Sequence, residues 1–316
     1  MGLSSISPPG SRLLVALMRK PARVVRKIVM ASVVLAAGLY FIPIVTILFL
    51  CTGLIDVMRN TRRDVMVFER YFRGNGIPTW LLSPFNLLTD LLCYRNPGTY
   101  CVDDLTPAWR DEIGSVLDTF RRRKDEIVGD IDRVFEAGRR GMYVFKWYGK
   151  ENPHNIDEFK KDFKYIKTVA VSVFSGREST SFHYGPPRLT LRVLYNLSPV
   201  RSEDIFIECE NRKHYWHDDP LYIFDDTLIH RSVNGYDARR YCVFMDIVRP
   251  TPFPRLLSTL VSVVSFAVER INSIFYKNWR MLRPAPECVK AEASQPTNQT
   301  SGERAFQPTP VSKLRS

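Results

Sequence analysis

The sequence predicts a mainly β fold with helical cover, preceded by a helix that crosses a membrane. Three observations predict it. An uncharged, apolar stretch covers residues 28–52, residues from 106 onward repeat apolar side chains at helical spacing, and short β-type runs separated by turn-rich segments fill the chain up to residue 250. About 180 residues follow the apolar stretch up to Pro250, which is enough for one well-buried domain.

The apolar stretch Ile28–Thr52 contains no charged residue and consists mainly of Val, Leu, Ile, Ala and Phe. It is long enough to cross the hydrocarbon core of a bilayer and too long for the apolar core of a signal peptide, so it predicts a membrane anchor. Pro43 predicts a kink in this helix, or a helix that dips into the bilayer and returns. Basic residues flank the stretch on both sides, so charge alone does not set its orientation.

The next predicted element is a helix that begins at Thr106-Pro107 and runs toward Ala137. Ile113, Val116 and Leu117 repeat at helical spacing, and acidic residues occupy its first turn. Strands then dominate. The strand candidates are Ile166–Phe174, Leu189–Leu197, Ile205–Cys209, Leu221–Phe224 and Arg240–Val248.

Beyond the β-rich part, Arg255–Leu282 has the spacing of an amphipathic helix, which lies either at a membrane surface or against the β-core. After Arg283 the chain is rich in Pro, Ser, Thr and Gln, which predicts disorder. The predicted divisions are a basic segment at 1–27, the anchor at 28–52, a connector at 53–105, the β-rich domain with its helix at 106–252, the amphipathic helix at 253–282 and a disordered tail at 283–316.

The net charge of +12 suits either anionic lipid headgroups or nucleic acid. No nucleic-acid-binding motif is present, and a membrane anchor makes lipid the better interpretation. The six cysteines are scattered, with no Cys-x-x-Cys pair and no metal-site spacing, which is consistent with a reducing compartment.

Two histidines and two arginines between Phe182 and Pro250 have the spacing of one kind of site. Imidazole suits iron, and two histidines beside open positions form most of the triad of non-haem Fe(II) oxygenases, so His183 and His230 are candidate ligands. Arg240 opens an alternating run that a strand would aim to one fixed side, and a guanidinium can bind a carboxylate with two hydrogen bonds. This layout fits a 2-oxoglutarate site.

These residues resemble the aspartyl/asparaginyl β-hydroxylase-like dioxygenases. The resemblance is carried by His183-Tyr184-Gly185-Pro186, Leu191-Arg192, Trp216, Phe224-Asp225-Asp226-Thr227-Leu228-Ile229-His230, Arg240 and Asp246-Ile247-Val248-Arg249-Pro250. Ser83-Pro84-Phe85-Asn86 and Phe145-Lys146-Trp147-Tyr148 look like segments of the membrane-bound bacterial branch, which hydroxylates acyl chains of lipid A. The similarity covers roughly residues 80–255.

The resemblance implies a double-stranded β-helix, with Fe(2+) as the metal and 2-oxoglutarate and O2 as cosubstrates. It makes His183 and His230 the catalytic metal ligands and assigns Arg240, Arg192 and Ser172 to cofactor binding, with Arg192 on either the substrate side or the cosubstrate side. The implied reaction couples decarboxylation of 2-oxoglutarate to succinate with hydroxylation of an unactivated C–H bond.

Two positions depart from the lipid A branch. Gly185 stands where those enzymes have a carboxylate ligand, although the similar aspartyl hydroxylases also have glycine there and work with two histidines and water. Leu194 stands where the family usually has a histidine beside the cosubstrate.

The first functional hypothesis is a membrane-anchored dioxygenase that hydroxylates a lipid acyl chain, with a lipid bilayer as its partner. Because iron and 2-oxoglutarate are cytosolic supplies, its catalytic domain is expected on the cytoplasmic side of a bacterial inner membrane, on a single membrane-crossing helix. Gly185 also leaves open a protein hydroxylase acting on Asp, Asn or Pro. A third hypothesis is a non-catalytic, membrane-linked module of the same fold.

Overall fold

The computed structural model describes residues 26, 29–135, 138–152, 155–198, 200–269 and 280–282. Most of the predicted basic segment and the whole tail from 283 lie outside the described residues. The helices are α1 (residues 29–41), α2 (Pro43–Val57), α3 (Val65–Arg73), α4 (Ile77–Leu81), α5 (Ser83–Leu92), α6 (Pro107–Arg122), α7 (Lys124–Val134) and α8 (Pro254–Glu269).

The described residues include twelve strands, which form two sheets. The strands are β1 (Thr99–Tyr100), β2 (Arg140–Trp147), β3 (Lys150–Glu151), β4 (Ile166–Phe174), β5 (Glu178–Ser179), β6 (Thr190–Asn196), β7 (Ile205–Cys209), β8 (Arg212–Tyr215), β9 (Leu221–Phe224), β10 (His230–Asn234), β11 (Arg240–Val248) and β12 (Arg280–Leu282). The larger sheet has the order β1-β9-β6-β11-β4-β2-β12, with β3 beside β2, and the smaller has the order β5-β10-β7-β8.

Both sheets contribute side chains to one inner core. Ala170, Phe224 and Cys242 of the larger sheet pack with Ile207 and Cys209 of the smaller sheet. Neighbouring strands are antiparallel except for β12, which pairs with β2 in parallel. The predicted mainly β fold with helical cover is confirmed, and β4, β7, β9 and β11 have the predicted bounds.

Helix α6 covers the outer face of the larger sheet. Its apolar stripe, with Ile113, Val116 and Phe120 fully buried, packs on Val171 and Val243. The predicted helix from Thr106 toward Ala137 is wrong in its length, because the chain leaves helical geometry at Arg123 and continues as α7.

The predicted membrane-crossing helix is also corrected. The chain leaves helical geometry at Ile42, where φ is −139° and ψ is 59°, and α2 begins at Pro43. Pro43 lacks an N–H, so it cannot continue the hydrogen-bond ladder of α1. Within the described residues, no helix is both long enough and apolar enough to cross a membrane.

The two remaining corrections concern segments on either side of the core. Residues 53–105, predicted as a connector, form α3 to α5 and β1, which pack on the sheets. The predicted helix at 253–282 is wrong at its end, because Arg280–Leu282 is a strand paired with Gly141, Met142 and Tyr143. Residues 270–279 lie outside the described part of the chain.

Candidate active site

The two predicted histidines lie side by side. His183 and His230 form an antiparallel backbone pair, in which His183 N donates to His230 O at 2.9 Å and His230 N donates to His183 O at 3.0 Å. Because directly paired residues of two strands place their side chains on the same face, the imidazole rings meet, with their centroids 4.2 Å apart. The fold therefore brings together two residues that are 47 positions apart in the sequence.

Both imidazoles present a free lone pair toward the same region. Nδ1 of His183 donates to Ser181 O and Nδ1 of His230 donates to Leu228 O, each at 2.8 Å. A carbonyl oxygen can only accept, so Nδ1 carries the proton and Nε2 keeps the lone pair that binds metals. Burial lowers the pKa of His183 to about 4 and lowers the pKa of His230 well below its usual value, with the neighbouring His183 adding to the second effect. Both rings are neutral near pH 7.

Arg240 is buried in the same cleft and has no carboxylate partner among the described residues. Its Nη2 donates to Ser232 Oγ at 2.6 Å, while Nε and Nη1 have no hydrogen-bond partner. The guanidinium lies 4.6 Å from the ring centre of Phe174 and 5.5 Å from that of Trp216, which stabilises a cation. Burial lowers the pKa of Arg240 from its ordinary value, but an arginine stays protonated at neutral pH.

The histidines and Arg240 line one cleft. Alternate residues of a strand point to the same face, so three strands supply the walls of this cleft. The inward-facing residues are Arg240 and Cys242 of β11, Ser172 of β4, and Arg192 and Leu194 of β6. Ser172 Oγ donates to Cys242 O at 3.1 Å. All the residues predicted for the site therefore line a single cleft.

Arg192 differs from Arg240 because its charge is balanced within the protein. Its Nε contacts Asp246 Oδ1 at 2.7 Å, and its Nη2 contacts Asp226 Oδ2 at 2.8 Å. The guanidinium also stacks 3.8 Å from the ring centre of Phe244. Burial raises the pKa of Asp226 to about 7; Arg192 opposes the rise, and the nearby carboxylates add to it.

Asp226 explains why residue 185 is glycine. A Cβ added to Gly185 would overlap the carboxylate of Asp226, which is held there by Arg192. The two backbones are also joined, because Gly185 N donates to the backbone carbonyl of Asp226 at 2.6 Å. A carboxylate side chain at residue 185 and the observed position of Asp226 therefore exclude each other. Within the described part of the chain, no group of three or more His, Cys, Asp or Glu residues is arranged to hold a metal ion.

A buried ionic network supports the back of the site. Arg188 contacts Asp56, Asp90 and Asp225, and Arg59 contacts Asp225 at 3.3 Å. Burial raises the pKa of Asp225, but the cations Arg59 and Arg188 outweigh this and hold it at about 2. Asp225 also accepts from Thr227 N and Thr227 Oγ1, so the network fixes the turn that leads to His230.

The segment directly after α2 braces this turn. Asn60 Oδ1 accepts from Ile229 N at 2.9 Å, one residue before His230, and Thr61 N donates to Glu210 Oε1 at 2.5 Å. Asn86 of α5 binds the other histidine segment, accepting from Arg188 N at 2.9 Å and donating to Pro186 O at 3.3 Å. These supports were not predicted from the sequence. The charged Asp56 and Arg59 at the end of an apolar helix were the only available signal.

A family profile described as aspartyl/asparaginyl beta-hydroxylase matches residues 116–250, the segment that contains every residue of the site. The β-core is thus similar to this family. The resemblance seen in the sequence is thereby confirmed. The ornithine lipid ester-linked acyl 2-hydroxylase of Rhizobium tropici is 25% identical over 191 residues, which are 55% of this chain and 66% of that enzyme. The match thus spans just under two thirds of that relative. Both descriptions are of hydroxylases, in agreement with the predicted enzyme class.

Among solved structures, a prolyl hydroxylase from Trichoplax adhaerens bound to a hypoxia-inducible-factor peptide is similar at 15% identity and a TM-score of 0.27, covering 58% of this chain and 96% of that one. A 2OG-Fe(II) oxygenase family oxidoreductase from Burkholderia pseudomallei is similar at 12% identity and a TM-score of 0.23, covering 30% of this chain and 50% of that one. Scores this low do not assign a fold or a function.

Proposed function

We propose that the protein is an Fe(II)- and 2-oxoglutarate-dependent dioxygenase that hydroxylates the acyl chain of a membrane lipid. The observation that carries the proposal is Arg240, a buried cation with two unpartnered nitrogens in the same cleft as two neutral histidines. A buried donor without a partner is costly unless a ligand satisfies it, and a carboxylate matches a guanidinium in charge and geometry. The donor set thus fits both iron and a dicarboxylate.

His183 and His230 would bind the iron through Nε2, because their Nδ1 protons are committed to backbone carbonyls. Iron with 2-oxoglutarate and O2 supplies the oxidising chemistry when bound. Arg240 and Ser232 would bind the distal carboxylate of 2-oxoglutarate, with Ser172 beside them on β4. Leu194, in place of a histidine, leaves this part of the cleft wall apolar and makes Arg240 the principal anchor.

Arg192 has a positioning role in this proposal. Its cation holds Asp226 against Gly185, two residues after His183, and Asp246 of the neighbouring strand fixes Arg192. Asp226 therefore occupies the space that a side chain at residue 185 would need.

The choice of a lipid substrate rests on the relative from Rhizobium tropici, whose name gives an acyl 2-hydroxylase of ornithine lipid. The apolar N-terminal helices, which would keep the protein at a membrane, support the same choice. In this proposal the substrate is a membrane lipid of the lipid A or ornithine lipid kind, met at the cytoplasmic face of a bacterial inner membrane.

The test begins with anaerobic titration of Fe(II) and 2-oxoglutarate into the full-length protein in detergent, recording the visible charge-transfer band of the chelated complex. We expect a band that is lost in His183→Ala and His230→Ala and strongly weakened in Arg240→Met. His217→Ala is the matched control, because His217 lies outside the cleft and contacts Ser202 and Asp218. A folded wild-type protein without a band would favour the non-catalytic module.

The substrate is tested separately. The iron-loaded protein is incubated with 2-oxoglutarate, O2 and purified lipid A or ornithine lipid, and the lipids are analysed by mass spectrometry. A gain of one oxygen located in an acyl chain, absent with His230→Ala, is the expected result. Hydroxylated Asp, Asn or Pro in peptides with unchanged lipids would refute the lipid assignment and leave the dioxygenase assignment standing.

A further inference from the structure

The exposed apolar side chains of the protein are concentrated in its helices. Among the described residues, large exposed hydrophobic side chains occur in 29–94 and 253–266, and outside these segments only at Val102, Tyr236 and Met281. Single exposed hydrophobic residues are normal on the surface of a soluble protein, but a contiguous apolar surface marks an interaction site. The helical segments are therefore the place to look for a partner.

Helix α5 has the reverse of the usual polarity. It buries Ser83, Asn86 and Thr89 against the core and exposes Leu88 and Leu91, which are 51% and 83% exposed. A helix covering a water-soluble core normally buries its apolar stripe and exposes polar residues. An outward apolar face with inward polar groups is expected only when the outer medium is itself apolar.

Neighbouring helices share this reversed polarity. Helix α2 buries Asp56, which pairs with Arg188, while Ile44 and Leu48 on its surface are 72% and 60% exposed. Helix α4 buries Thr79, which donates to Gly185 O, and exposes Leu81. Helices α2 and α4 both contact α5, so their outer faces are adjacent.

Helix α8 extends this surface on the other side of α5. Leu257 and Val261 face inward and pack with Phe85, while Leu256 and Val263 are exposed. We call the outward faces of α2, α4, α5 and α8, together with α1, the apolar platform.

The first two helices of the platform form an acute bend. A Cβ added to Gly38 would lie 2.8 Å from Thr46 Oγ1, although residues eight apart in a straight helix are separated by about 12 Å. Helix α1 therefore folds back beside α2. The tip of the bend exposes Tyr40 and Phe41, which are 81% and 76% exposed.

Unpaired cations occur next to the platform in the sequence. Arg63, Arg73, Arg95 and Arg255 are exposed, and none has an acidic partner within the described residues. Together with the net charge of +12, they complement the anionic headgroups that border the hydrocarbon of a bilayer.

We propose that the apolar platform inserts into a single leaflet of an anionic phospholipid bilayer, with the α1–α2 bend as its deepest part and the arginines at the headgroups. The protein enters and leaves the membrane on the same side. The partner is lipid rather than a second protein, because reversed polarity on several helices and a cationic border together match a lipid surface. The proposal concerns docking and does not depend on the hydroxylase reaction.

The first test is sidedness. Arg26→Cys and Glu69→Cys, on either side of the bend, are made singly in full-length protein whose six native cysteines are serine, and intact vesicles of one orientation are treated with a membrane-impermeant maleimide. We expect both positions to react from the same side, and Phe41→Cys to react from neither. Labelling of Arg26→Cys and Glu69→Cys from opposite sides would overturn the proposal in favour of a crossing helix.

The second test addresses the platform beyond the bend. Leu88→Glu/Leu91→Glu should lower partitioning of the full-length protein onto vesicles containing phosphatidylglycerol by about tenfold or more, because two buried leucine side chains are lost. Val102→Glu, an exposed apolar position away from the platform, is the control and should partition as the wild type. Circular dichroism confirms that each variant is folded.

An unchanged partition coefficient for the folded double variant would remove α5 from the lipid-contacting surface and overturn the proposal. A photoreactive amino acid at Leu91 distinguishes the occupants directly. Cross-linking to phospholipid in membranes supports the proposal, and quantitative cross-linking to a protein refutes it.

Discussion

Replacing Gly185 with alanine tests whether the Asp226 carboxylate fills the space beside Gly185. The added methyl carbon would overlap the carboxylate carbon and both oxygens of Asp226. Asp226 is buried and bound to Arg192 at 2.8 Å, so it can move only by disturbing that ion pair. Overpacking an interior costs about 1–3 kcal/mol, and a disturbed buried ion pair adds to this.

We therefore expect Gly185→Ala to lower the free energy of unfolding by about 2–4 kcal/mol, which corresponds to a Tm lower by roughly 5–15 °C. The assay is thermal unfolding of the full-length protein in detergent, followed by circular dichroism. Gly129→Ala in α7 is the matched control. A Cβ there meets no atom within 4 Å, so the helical preference for alanine should stabilise that variant by about 0.5–1 kcal/mol.

A double-mutant cycle with Asp226→Ala isolates the overlap from other effects. Once the carboxylate is removed, the extra cost of Gly185→Ala should fall by about 1–3 kcal/mol, because the methyl group then has space. If Gly185→Ala is as stable as the wild type, or if its cost is the same with and without Asp226, the assignment of this space to the carboxylate is refuted.

Three further predictions address the rest of the site. Arg240→Met should strongly weaken 2-oxoglutarate binding in calorimetry. It should leave the ligand-free protein as stable as the wild type or about 1 kcal/mol more stable, because a buried cation without a carboxylate partner is lost; a large loss of stability would contradict this. Asp225 has a lowered pKa in the folded protein, so its carboxylate stabilises the fold at pH values above about 3.9, the pKa of Asp in the unfolded chain. This stabilisation is lost as the pH falls toward 2. Unfolding measured at a series of pH values should show that the difference in free energy of unfolding between the wild type and Asp225→Asn shrinks by about 2 kcal/mol over that interval. A constant difference would count against the network. Asn60→Ala leaves the buried Ile229 N–H without its acceptor, which should cost about 1–3 kcal/mol and weaken Fe(II) binding, whereas Asn75→Ala on an exposed loop should change neither.

The sequence predicted the parts of the site that depend on local spacing. His183, Arg192, His230 and Arg240 stand on or beside strands whose alternation aims them into one cleft, so matching the motif was sufficient to group them. The role of Asp226 depends on its contact with Gly185, 41 positions earlier in the chain. A local sequence pattern does not indicate a contact between residues so far apart. The sequence therefore did not indicate that the carboxylate of Asp226 occupies the space beside Gly185.

The errors at the two ends of the chain have a similar cause. Arg280–Leu282 has apolar content that suits a helix, but pairing with β2, about 140 residues earlier, makes it a strand. The apolar stretch at 28–52 was expected to cross the membrane, with a kink or a return at Pro43, because composition measures length and polarity. The acute bend at Ile42 and the contact between Gly38 and Thr46 are properties of packing, for which Pro43 was only a partial signal.

The brace formed by residues 56–62 means that the apolar helices and the catalytic cleft cannot be treated as separate modules. A fragment that starts after residue 62 would remove the acceptor for Ile229 N, the partner of Arg188 at Asp56 and the cation Arg59 beside Asp225. The turn that carries His230 would then lose its supports on one side. Solubilising the protein by truncation should accordingly weaken the Fe(II) binding proposed for the cleft. In the cell, the cleft would be fully assembled only in chains whose first helices are folded and docked.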